Sequence, residues 1–147
     1  MPGCNVFNQE HQMLLVHFYG IVTADDLELQ AVSVLSNPDF THSTRELISF
    51  ADVEGFAPDV DIERLAEIIA LHKKQVEKYP DIQVAIFAPG GLAFNLAMLY
   101  KQQSERLGSK GEIKVFTERA EAVTWLGGSP AEWNLLLDRM VNICTFR

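Results

Sequence analysis

Three short apolar runs, Glu46–Ala51, Gln83–Ala88 and Glu112–Phe116, are each separated from the next by a stretch long enough for a helix. Such an alternation leaves little freedom. Consecutive strands joined through helices need crossover connections, and crossovers build a mainly parallel sheet with right-handed turns. The intervening stretches carry helical spacing. Leu27, Ala31, Val34 and Leu35 share one face behind Thr23, an N-cap with Asp25 and Asp26 in the first turn. Ile62, Leu65, Ala66, Ile69, Val76 and Tyr79 share another behind Asp61, and Pro80 stops that helix.

Ahead of this pattern, Asn5–Asn8 and Met13–Tyr19 flank the polar Gln9–Glu10–His11, which predicts an antiparallel hairpin ending at Gly20. The stretch Asp52–Asp59, with Gly55 and Pro58, predicts a loop. Pro89–Gly90–Gly91 predicts a tight turn into a helix from Leu92 to Leu107, with Gly108 placed to cap its end. Thr117 is the expected cap of a short helix, Glu118–Leu126, and Gly127–Gly128–Ser129–Pro130 precedes a last helix, Ala131–Val141. The expected fold is α/β, a mainly parallel sheet of four to five strands with an N-terminal antiparallel hairpin and helices packed on it. One domain spans 1–147, and 129–147 adds a C-terminal helix.

Charge excludes several partners. Twelve Lys and Arg against 20 acids leave a formal net charge of -8, which disfavours phosphate backbones and anionic membrane surfaces. No apolar run reaches the roughly 20 residues of a membrane span, and Met1–Gln12 lacks a signal-peptide core. Cys4 and Cys144 form no metal-ligand spacing and read as free thiols of a cytoplasmic protein, with an end-to-end bridge as the alternative.

The order of elements resembles the SpoIIAA-like proteins, the group named for STAS and Sec14 (CRAL-TRIO) domains. The residues that carry the likeness are Met13-Leu14-Leu15-Val16-His17-Phe18-Tyr19-Gly20 with Thr23-Ala24-Asp25-Asp26-Leu27, then Leu47-Ile48-Ser49-Phe50-Ala51-Asp52 and Val84-Ala85-Ile86-Phe87. The strand-to-helix block from Ile113 to Trp125-Leu126 completes it. The likeness covers about Val6 to Leu126 and leaves 129–147 outside the family core. It implies a module that works by binding, since the related anti-sigma-factor antagonists do so. Their switch is a serine in an Asp-Ser-x-Gly-like turn. Here that turn reads Asp52-Val53-Glu54-Gly55, with no hydroxyl, so a constitutively acidic surface replaces a phospho-switch.

Local chemistry is sparse. His11, His17, His42 and His72 include no i, i+4 pair, and no metal site or cofactor is expected. His72 interrupts an apolar stripe and reads as a half-buried histidine with one hydrogen bond, ahead of a pocket base. The acids Asp52, Glu54, Asp59, Asp61 and Glu63 read as a solvated surface, ahead of a catalytic pair. Ser, His and Asp all occur, without a Gly-x-Ser-x-Gly elbow.

From Leu92 to Tyr100 the chain is apolar on nearly every side, more than one sheet face can cover. The surplus calls for another helix, a second copy of the chain or an apolar ligand. Trp133, Leu136, Leu137 and Met140 offer cover from the tail, and a homodimer is the expected assembly. Trp125 is expected to be buried against the sheet.

The resulting expectation is a non-enzymatic binding or regulatory module. Its contact surface comprises Asp52, Glu54, Gly55 and Phe56 with Gly90, Gly91, Phe94 and Met98, at the carboxyl ends of strands where open α/β sheets place ligand sites. Two alternatives stand beside a protein partner. One is a Sec14-like carrier of a small apolar ligand lined by Phe56, Leu92, Phe94 and Met98. The other is a small enzyme built on His72 or Asp52.

Overall fold

The computed structural model describes residues 3–39, 44–108 and 111–145; His42 lies outside them. Strands β1 (Gly3–Asn8) and β2 (Met13–Val22) form the hairpin, and α1 (Ala24–Leu35) crosses to β3 (Arg45–Phe56). Then α2 (Ile62–Lys78), β4 (Gln83–Phe87), α3 (Gly91–Arg106) and β5 (Glu112–Phe116) alternate, and α4 (Arg119–Trp125) and α5 (Pro130–Thr145) close the chain. The five strands lie in the order β1-β2-β3-β4-β5, with β1 antiparallel to β2 and every other pair parallel.

That order decides where the helices go. When each right-handed crossover steps to the next strand in the same direction, every crossover helix falls on one face. Leu27 and Val34 of α1, Leu65, Ile68 and Val76 of α2, and Ala93 and Ala97 of α3 therefore share one cluster with Leu14, Val16, Phe18, Val84 and Ile86 of the sheet. The opposite face, with Met13, Leu15, Leu47 and Ala85, is left to α4 and α5. Both faces of β2 are covered, which is why Met13–Phe18 is buried without a break.

Two of the three expected N-caps form as read. Thr23 and Asp26 make a reciprocal capping box, and Asp61 accepts from the Arg64 N–H at 2.9 Å. Arg64 also reaches Asp25 and Glu28, tying α2 to α1. Thr117 is displaced as a cap by Glu118, which makes no side-chain cap bond.

Several sequence expectations need correction. Both central strands outrun their turn signals. The hairpin strand continues past Gly20 to Val22, and Asp52, Glu54, Gly55 and Phe56 belong to β3 rather than to a loop. They pair with β2 through Tyr19↔Asp52, Ile21↔Gly55 and Val22↔Phe56. Two irregularities in the register, between His17 and Tyr19 and between Gly20 and Ile21, each insert one extra residue on β3. Bulges of this kind let a strand absorb residues that otherwise signal a turn.

The tail does not cover α3. Its helix α5 packs against β1, β2 and α4, on the face opposite α3, and buries Trp133, Leu137 and Met140. The buried tryptophan is thus Trp133, 2% exposed, under the Arg45 guanidinium at 4.8 Å, whereas Trp125 is only half-buried beside Phe116. Arg45 also donates to the carbonyls of Leu126 and His11, joining the hairpin turn to both helices of this face. Cys4 and Cys144 are joined as a disulfide with Cα atoms 5.6 Å apart, pinning α5 to β1. The expectation of two free thiols fails, and with it the argument from thiols for a reducing compartment. Among the described residues no helix is long and apolar enough to cross a membrane.

Candidate functional site: a polar-ended cavity under the crossover helices

On the crossover face, the side chains of β3 alternate. Glu46, Ile48 and Phe50 point toward the helices, while Leu47 and Ser49 point away. Glu46 is consequently seated on the central strand between Leu14 of β2 and Val84 of β4, both fully buried. Opposite it, α2 presents Ile68, His72 and Gln75 at helical spacing, and α3 presents Leu96, Ala97 and Tyr100. These surfaces do not close. They leave a cavity of about 70 Å³, walled also by Phe18, Leu27 and Val34, where one water needs roughly 10–15 Å³. Ile48, although on the central strand, stays half-exposed through this opening.

The wall is mostly apolar, with Gln30 of α1, whose Oε1 accepts from the Asn5 amide at 3.0 Å, and one polar cluster. Glu46 is 3% exposed, and burial pushes its carboxyl up from 4.5 to about 7, against the opposing effect of the Gln75 amide beside it. His72, 6% exposed, is pushed down by burial from 6.5 to about 4, so its ring is neutral. Burial, reinforced by the Glu46 carboxyl, pushes the Tyr100 phenol up. Among the described residues neither ring nitrogen of His72 has a hydrogen-bond partner, and neither Glu46 Oε2 nor Gln75 Nε2 makes a well-aligned one. Buried polar atoms are nearly always satisfied, because leaving one bare costs about 1–3 kcal/mol. These four atoms face one cavity and have no well-aligned partner among the described residues, so whatever occupies the cavity must satisfy them.

The other face carries a second groove of about 230 Å³, lined by His17, Ser49, Asp52, Arg119 and Asp138 among others. Simple alternation would send Asp52 to the crossover-helix face, but the extra residue before it re-aims the side chain. Its Oδ2 lies 3.0 Å from His17 Nε2. Burial lowers the His17 pKa in spite of this carboxylate. Ser49 faces His17 across the strand pair, yet its Oγ accepts from the Ala51 N–H at 3.4 Å and His17 Nδ1 has no partner. Hydroxyl and imidazole are not coupled as nucleophilic catalysis requires. Arg119 is engaged by Asp138 at 3.1 Å and Asn134 at 3.3 Å.

The contact residues expected from the sequence, from Asp52 to Met98, lie apart from the cavity, whereas His72 lines it. Asp52 and Glu54 are exposed near the end of β3, and Gly55 and Phe56 are half-buried there. Gly90 and Gly91 are exposed, and their φ values of 149° and 62° require glycine at the start of α3. Phe56 and Phe94 pack at the edge of the crossover-face core, and Met98 is half-buried. Leu92, proposed as lining, is 69% exposed. The helix α3 does line a cavity, but one to two turns further along, with Leu96, Ala97 and Tyr100. His72 belongs to it, without the single hydrogen bond expected. Glu46, Gln75 and Tyr100 were missed, although Glu46 has period-two spacing with Ile48 and Phe50, and Gln75 follows Ile68 and His72 at helical intervals.

No family model and no curated protein matches this chain. Among solved structures it is similar to the crystal structure of an uncharacterised protein of the DUF3478 family, with a SpoIIAA-like fold, from Shewanella loihica PV-4. The two share 20% identity over 84% of this chain and 91% of that one, with a TM-score of 0.50. The fold is SpoIIAA-like.

Proposed function

We propose that this SpoIIAA-like domain is a non-enzymatic binding module that holds a small, mostly apolar molecule between its sheet and the crossover helices. The observation that carries the reading is the cavity beside Glu46, His72 and Gln75, whose unsatisfied polar atoms a ligand would complete. Among the described residues neither His72 nitrogen is hydrogen-bonded to a neighbouring nucleophile, so the lining shows no activated nucleophile–base pair, which favours binding over covalent chemistry. Benzene is a suitable first probe of the apolar part of the wall, since apolar cavities admit it. Saturating benzene is expected to raise the melting temperature by mass action and to shift amide resonances of α2 and α3. Ala97→Leu, which fills the space, is expected to remove both effects. A parent protein that shows neither effect would discard this reading.

A protein-contact reading is favoured by three exposed apolar side chains at the carboxyl end of the sheet. Ile21 is the penultimate residue of β2, Ile62 opens α2 and Leu92 is the second residue of α3, at 56%, 59% and 69% exposure. They stand at the same end as Asp52 and Glu54. A homodimer through this end would sediment as a dimer at micromolar concentration and as a monomer after Ile62→Asp with Leu92→Asp. A monomeric parent protein would remove self-association.

A further inference from the structure

We infer that the molecule held in this cavity is a neutral one, with an apolar body and a single hydroxyl seated against Glu46, His72 and Gln75; this rests on the cavity being a ligand site. The polar end offers both kinds of hydrogen-bonding group. Gln75 Nε2 is a donor, a neutral His72 ring has one donor and one acceptor nitrogen, and Glu46 Oε2 belongs to a carboxyl group. A hydroxyl is the smallest group that donates once and accepts twice, so it can serve three of these atoms at one point.

Charge narrows the class further. No Lys or Arg lines the cavity, so a carboxylate or phosphate head would be buried without a counter-charge and against the Glu46 carboxyl. An ammonium would find only Glu46, and desolvating both ions offsets most of their attraction. Most of the remaining wall, including Phe18, Leu27, Val34, Phe50 and Leu65, is apolar, and the Gln30 Oε1 there already accepts from Asn5, so the wall asks for an apolar body.

Four probes of one shape test this: cyclohexanol, methylcyclohexane, cyclohexanecarboxylate and cyclohexylamine, each titrated into isotope-labelled protein at pH 6 and followed by amide shifts. Cyclohexanol is expected to bind roughly tenfold more tightly than methylcyclohexane, about the yield of one to two net hydrogen bonds. The two charged probes are expected to be weaker than the alcohol. The alcohol's advantage should shrink in Glu46→Gln and vanish in His72→Leu with Gln75→Leu, while methylcyclohexane still binds. Equal binding of alcohol and hydrocarbon, or an advantage that survives the double variant, would overturn the hydroxyl and leave the cavity reading standing. A charged probe binding most tightly would also overturn it. Failure of all four probes would sink both.

Discussion

His72 on α2 and Tyr100 on α3 meet edge to face beside the cavity, with ring centroids 6.1 Å apart and planes inclined at 62°. The contact places an imidazole with no hydrogen-bond partner among the described residues against an aromatic ring, on a wall to which Glu46 contributes a carboxyl. Ring packing therefore holds the histidine, with both nitrogens turned to partners other than the described side chains.

The two buried titrating groups predict opposing pH dependences. Between pH 4.5 and about 7 the folded chain keeps Glu46 protonated while the unfolded chain does not, so this contribution falls as pH rises. Between about 4 and 6.5 the folded chain keeps His72 neutral while the unfolded chain binds a proton, so this contribution falls as pH drops. The two slopes nearly cancel in the parent. Relative to it, Glu46→Gln should gain roughly 3 kcal/mol on going from pH 4.5 to 8, and His72→Gln should gain a similar amount on going from pH 7 to 4. Urea unfolding across this range reads both, and parallel curves for parent and variants would contradict the assignment.

The tryptophans should separate sharply. Trp133→Ala removes a ring that is 2% exposed and packed with Leu137, Met140 and Met13, and should cost about 3–5 kcal/mol. Trp125→Ala, at a half-buried site, should cost less than half of that. Chemical denaturation of both variants checks the order.

Gly128 is dictated by the same ring. A Cβ at this position would come within 2.5 Å of Trp133 Cδ2 and Cε2, in a helix junction with no room to retreat. Gly128→Ala should destabilise by about 1–3 kcal/mol, the usual range for overpacking. In a Trp133→Leu background that penalty should largely disappear, which a double-mutant cycle would reveal.

The Cys4–Cys144 bridge spans 140 positions and holds α5 over the second face. Its removal by Cys4→Ser with Cys144→Ser should cost about 2–4 kcal/mol. Proteolysis should then cut first in α5, the element released. An oxidised parent that titrates with two accessible thiols after denaturation would show that the bridge does not form.

Much of the architecture was legible from short-range signals. Strand alternation, the Thr23 and Asp61 caps, Pro80 and Gly108 each act within a turn or two of the chain, so the sequence alone determined the order of elements and the parallel sheet. Even the inward side of β3 could be read, because side chains along a strand alternate by simple geometry. What tertiary structure decided is which faces meet. Strand order and crossover hand send α1–α3 to one face and hand the other to α5, which is why Trp133 rather than Trp125 is buried. An extra residue in β3 carries Asp52 to His17 against its own alternation. The cavity is the least legible feature of all. It is the space left where side chains distant in sequence, Glu46, His72 and Tyr100, fail to fill the gap between three helices and a sheet, and no local pattern encodes a void.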